Sequence, residues 1–136
     1  MMPQDSVYGK WPASGEIDIM ENAPSSNGLH RTFSTLHAKG HYSGNGKSIG
    51  DKTFDNALNN EWHTFGVMWE DSKISAYYDD VLVGTYFNDG NGYYNWPYDQ
   101  NFYIILNLAV GGNLGGSGAD TSKTYNFLVD YVRVYQ

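Results

Sequence analysis

Apolar residues recur along this chain in short runs at period two, the spacing of a strand that buries one of its faces. Trp62–Trp69 places His63, Phe65, Val67 and Trp69 on one side. Phe102–Val110 puts Phe102, Ile104, Leu106, Leu108 and Val110 on one face and Tyr103, Ile105, Asn107 and Ala109 on the other. Lys73–Tyr78 and Val81–Phe87 flank Asp79-Asp80, a two-residue link suited to a tight hairpin turn. Phe127–Tyr135 is rich in β-branched and aromatic residues, which pack well on a pleated surface, and Gly15–Asn22 and Arg31–His37 are two further predicted strands. Gly40, Gly44, Gly46 and Gly50 mark a long loop after His37, and a second Gly-rich loop runs over Gly111–Gly118. No segment of about ten residues or more carries an apolar stripe at helical period, so the pattern predicts an all-β sandwich or barrel. Aromatic residues on both faces of several strands predict one face in a core and one lining a groove.

Composition narrows the function classes. A length of 136 residues predicts a single domain, residues 1–136. Eight Lys+Arg against fifteen Asp+Glu leave a formal charge of −7, which repels a phosphate backbone and an anionic bilayer; neither nucleic acid nor membrane is expected as a partner. An aromatic content of 16% excludes disorder. The absence of Cys excludes a disulfide scaffold, a thiolate metal site and a Cys nucleophile. No apolar run approaches the ~18 residues of a membrane span. The G-K-S of Gly46-Lys47-Ser48 lacks the first glycine of a phosphate loop, since His41 stands in its place.

Chemistry concentrates in Trp11-Pro12-Ala13-Ser14-Gly15-Glu16-Ile17-Asp18-Ile19-Met20-Glu21. In a regular strand Glu16 and Asp18 share one face and Ile17 and Ile19 the other. Glu21 then falls on the wrong face, unless one extra residue near Met20 forms a β-bulge. That bulge would also turn Ile17, Ile19 and Met20 together into the core, so the acidic and apolar patterns demand the same irregularity. Three like charges on one face repel, and repulsion with partial burial keeps at least one carboxyl protonated near neutral pH. An acid beside an ionised carboxylate is the pair that glycoside hydrolysis requires. For an arbitrary E-x-D-x-x-E, a solvated face is the commoner reading, and carboxylate oxygens also suit calcium; the spacing is not that of a calcium loop.

WPASGEIDIME resembles the active-site strand of glycoside hydrolase family 16, in particular its laminarinase-like endo-β-1,3-glucanases. STLH at Ser34–His37, EWHTFGVMWE at Glu61–Glu70, YYDDVLVGT at Tyr77–Thr85, YDQNFYIILNLAVGGN at Tyr98–Asn113 and VDYVRVYQ at Val129–Gln136 match that family in order. The resemblance implies a concanavalin A-like jelly-roll β-sandwich of two curved antiparallel sheets, with substrate across the concave one. It implies Glu16 as nucleophile, Glu21 as general acid/base and Asp18 as the assisting aspartate. Trp11 and His37 are implied to line the sugar cleft, and Asn107, opposite Leu106 and Leu108, is expected there too. Asp130 matches a residue that often contributes to a structural calcium site, and no cofactor is implied as necessary for the reaction. His63, Trp62 and Trp69 are expected to be structural, and Trp96 to pack. The bulge, WPASG and NLAVGGN look most like laminarinases, whereas Asn22–Asn27 departs from their commonest continuation.

The implied activity is retaining hydrolysis of β-1,3-glucan, as an extracellular enzyme. The alternatives are a glucan-binding module or inactive fragment of the same fold, or a hydrolase of mixed-linkage glucan, agar or carrageenan. The carboxylate motif follows Met1 within a dozen residues, as if inside a domain whose N-terminal half is missing. The expectation is self-association, or a second chain supplying missing strands.

Overall fold

Alternating burial sorts the chain into sheets. In β3 (Arg31–His37), Thr32, Ser34 and Leu36 are buried while Phe33, Thr35 and His37 stay half-exposed on the opposite face. This is the two-sided strand that its period predicts. A computed structural model describes residues 1–23, 25 and 28–136. The unusual continuation Asn22–Asn27 therefore lies partly outside the described residues. The other strands among the described residues are β1 (Met2–Pro3), β2 (Glu16–Glu21), β4 (Lys47–Thr53), β5 (Phe65–Glu70), β6 (Lys73–Tyr78), β7 (Val81–Phe87) and β8 (Phe102–Tyr103), with 3-10 turns at Ser43–Asn45, Leu58–Asn60 and Gly92–Tyr94 and a helical turn, α1 (Gly112–Gly115). Among the described residues no helix is long and apolar enough to cross a membrane.

Among the described residues all pairings are antiparallel: β2-β3-β4 and β5-β6-β7 form three-stranded sheets, and β1 pairs with β8. The architecture is the all-β jelly-roll sandwich that the sequence implies. Ile17, Leu36 and Ile49 from the first sheet, with Ala38 just past β3, meet Ile74 and Ala76 from the second, with Trp96 and Tyr98 in the same cluster. Trp96 thus packs as expected. Asp79 and Asp80 both adopt positive φ, 50° and 63°, and Tyr78 pairs with Val81. This is the backbone twist that joins two strands through two residues. His63 braces the turn: Nδ1 lies 2.9 Å from Asp79 Oδ2, while Asp79 Oδ1 accepts from the Thr64 amide at 2.9 Å. At Gly84 of β7 the sheets touch backbone to backbone, since a Cβ there would stand 2.3 Å from the Ile49 carbonyl oxygen.

Three expectations require correction. The long loop after His37 contains β4, whose KSIGDKT reads as loop because it is polar and carries a glycine; six residue pairs between β3 and β4 outweigh that composition. The strand expected over Phe102–Val110 is reduced to Phe102–Tyr103, and that expected over Phe127–Tyr135 carries no strand. Propensity makes a segment extended, but only a neighbour supplies its ladder, and among the described residues 104–136 find none. Their apolar side chains consequently face solvent, with Leu128 71% and Tyr135 83% exposed.

Gly84→Ala should destabilise the chain by about 1–3 kcal/mol in urea unfolding, because the close approach to β4 leaves the methyl no room. The exposed apolar stretch predicts association. Analytical ultracentrifugation should show species above the 15.3 kDa monomer, and a concentration-independent monomer would contradict this.

Candidate active site

The register of β2 against β3 places the carboxylates. Glu16 pairs with His37, Ile17 with Leu36 and Asp18 with Thr35, after which the register shifts and Glu21 pairs with Phe33. Three steps along β2 therefore match two along β3, which is a bulge at Ile19-Met20. Ile17 is fully buried and Ile19 packs against the core cluster. Met20 is half-buried and stays outside that cluster, a modest departure from the expected inward turn. Glu16, Asp18 and Glu21 are all half-buried, and the charges of Asp18 and Glu16 act on Glu21.

Trp11 Nε1 donates to Glu16 Oε2 at 2.7 Å. His37 Nε2 lies 3.1 Å from Asp18 Oδ2. The Trp11 ring centroid is 6.1 Å from that of His37 and 5.8 Å from that of Tyr42, the latter edge-on. Four of the sequence-derived candidates, Trp11, Glu16, Asp18 and His37, are thus joined by direct contacts, and Glu21 is electrostatically linked to them. The loop bearing Trp11 is held at both ends. Ser14 Oγ accepts from Tyr8 N at 2.9 Å and donates to Gly9 O at 2.7 Å, while Gln100 Nε2 donates to Ser14 O at 3.1 Å.

The environments push the ionisable groups apart. Burial, reinforced by the Asp18 charge, raises the Glu21 carboxyl to about 7, against an opposing hydrogen bond from Thr35. Burial and then Asp18 also raise Glu16, but the Trp11 N–H and the His37 charge favour its ionised form. The hydrogen bond to Asp18 lifts His37 above its ordinary value although burial opposes it. Glu16, Asp18 and His37 offer ligand atoms within 4.8 Å of one another. Within this set Trp11 donates to Glu16 and His37 Nε2 lies against Asp18, while His37 Nδ1 is buried without a hydrogen-bond partner among the described residues.

Asn107 is exposed in the unpaired stretch and makes no hydrogen bond to the cluster. Asp130 is exposed in residues 127–135, and among the described residues no group of ligating side chains gathers around it. Sequence reasoning assigned no role to Thr35, Tyr42, Gly46 or Tyr98. Thr35 was legible, lying between Phe33 and His37 on the groove face. Tyr98 donates to the His37 carbonyl at 2.9 Å from a distant segment. Gly46 lies so close that a Cβ would come within 2.6 Å of both Thr35 Cγ2 and His37 Cε1. Neither contact has a local sequence signal.

The chain is 39% identical over 148 residues to the glucan endo-1,3-beta-glucosidase A1 of Niallia circulans, covering 100% of this chain and 21% of that protein. It is 38% identical over 146 residues to the glucan endo-1,3-beta-glucosidase of Cryptopygus antarcticus, covering 98% and 53% respectively. Its fold superposes on the laminarinase of Flavobacterium sp. UMI-01 with a TM-score of 0.71 and 33% identity, over 82% of this chain and 47% of that one. The chain thus spans about half or less of the length of these relatives. Residues 2–133 match the family described as Glycosyl hydrolases family 16, and the chain belongs to that family.

Proposed function

We propose that this chain provides the catalytic strand of a retaining endo-β-glucanase acting on β-1,3-glucan. The carrying observation is the bulge at Ile19-Met20, which leaves Glu21 in the electrostatic reach of Glu16 and Asp18 while giving each glutamate a different environment. Glu21, raised to about 7, is the proton donor. Glu16, whose anion is favoured by the Trp11 N–H, is the nucleophile. In the first step Glu16 forms a bond to the anomeric carbon as the glycosidic C–O bond breaks, and Glu21 passes its proton to the leaving oxygen. In the second, Glu21 takes a proton from water, whose oxygen replaces Glu16 at that carbon. Asp18, held by His37, stands between the two on the same strand. The apolar face of Trp11, 45% exposed, offers a surface on which a pyranose can stack. The names of the relatives support β-1,3-glucan as substrate. A polymer of that size places the reaction outside the cell, and strands from a second copy or another polypeptide are proposed to cover the exposed stretch 104–136.

Glu16→Gln should abolish reducing-sugar release from laminarin while laminari-oligosaccharide binding persists by calorimetry; undiminished hydrolysis would remove the nucleophile assignment. Binding without release by the unsubstituted chain would favour the glucan-binding alternative, and a panel of laminarin, lichenan, agarose and carrageenan fixes the substrate. Since the acid must be protonated, kcat/KM should fall as pH rises through about 7. Trp11→Phe keeps the ring but loses the N–H donor, so Glu16 should ionise at higher pH and the acidic limb of the profile should move upward. Stability carries the same signature. Glu21 has a folded pKa above its model value of 4.5, so the folded state holds more protons between 4.5 and about 7, and its contribution to stability is lost as pH rises through that window. Glu21→Gln should flatten this slope and raise the melting temperature at pH 8, while cutting kcat by about 10²–10⁴-fold.

A further inference from the structure

Two of the three buried positions of β3 are hydroxyl residues, Thr32 and Ser34, where a core-facing strand ordinarily carries aliphatic side chains. Both face the bulge from behind. Ser34 Oγ donates to the Ile19 carbonyl at 2.5 Å, and Thr32 Oγ1 donates to the Glu21 carbonyl at 3.0 Å. Ser34 has one proton, already given to Ile19, so the 2.7 Å bond between Ser34 Oγ and Tyr78 OH has the tyrosine as donor. Tyr78 is fully buried and belongs to β6, so this chain of bonds ties the irregular part of β2 to the facing sheet.

We propose that Thr32, Ser34 and Tyr78 are positioning residues whose buried hydroxyls hold the Ile19 and Glu21 carbonyls and so keep the bulge that presents Glu21 beside Glu16 and Asp18. The physical reason is that a bulge takes carbonyls off the strand ladder, and a buried carbonyl without a donor costs about 1–3 kcal/mol. With hydroxyls in place the bulged register is satisfied. Without them, a regular register pairing Met20 with Phe33 becomes competitive, and it turns Glu21 to the opposite face. The groove side chains Trp11 and His37 do not depend on this choice, so sugar binding persists while proton donation is lost.

This inference rests on the glucanase reading for its kinetic consequence but not for its structural one, and the test reads both. Ser34→Ala should lower kcat on laminarin about tenfold with KM changed by less than about twofold, and Tyr78→Phe should act in the same direction by about threefold. Thr32→Val should lose what Thr32→Ser keeps. In parallel, the Glu21 side-chain carboxyl is titrated by carbon NMR in each variant. Its midpoint, set by burial and by the facing Asp18, His37, Glu16 and Thr35, should rise above about 7 as the regular register turns Glu21 out of the cluster and into the apolar core. Should Ser34→Ala not fold, Tyr78→Phe removes a single oxygen and decides the matter. Unchanged kcat and an unchanged Glu21 midpoint in the folded hydroxyl-deleted variants would overturn the proposal, as would a rate loss expressed in KM alone. If the unsubstituted chain releases no sugar, the glucanase reading fails, and the titration still decides whether the hydroxyls hold the bulge.

Discussion

A strand repeats every two residues, and Glu16 and Glu21 are five apart; the site rests on how the chain resolves that mismatch. The extra residue at Ile19-Met20 restores Glu21 to the side of Asp18 while Ile17 and Ile19 keep the core. The alternative register would bury a carboxylate among Leu36, Ile74 and their neighbours, so the apolar core and the acidic face select the same pairing. Hydroxyls on the buried face of β3 take up the carbonyls that the irregularity frees.

Once gathered, the carboxyls are differentiated by what each can reach. Glu16 has an indole N–H and a nearby imidazole; Glu21 has burial and the negative charge of Asp18, moderated by Thr35. The same crowding that raises Glu21 opposes folding as pH approaches neutrality, so the site is held together by surrounding structure. Gln100 on the Trp11 loop and Tyr98 on the end of β3 supply that support from a segment far along the chain.

The sandwich is closed between β2-β3-β4 and β5-β6-β7 and open along 104–136. Short strands with complementary neighbours form ladders, whereas FYIILNLAV, the most strand-like run in the chain, pairs only at its first two residues. The apolar side chains of that stretch are left facing solvent.

The hairpin at Asp79-Asp80, the two-faced β3 and the bulge that gathers Glu16, Asp18 and Glu21 were legible in the sequence, because each follows from local periodicity or turn chemistry, whereas Trp11 and His37 were placed with them by the family resemblance. Burial of Trp96 was also legible. Strand β4, the shortening of β8 and the loss of strand over 127–135 were not, because pairing depends on a partner that composition does not name. The roles of Tyr98, Tyr42 and Gly46 likewise arise from segments that meet only in three dimensions. The sequence alone determined which groups could do chemistry and on which strand face; the tertiary structure decided their register, their hydrogen-bond partners and their protonation, since these depend on what the fold brings within a few ångströms.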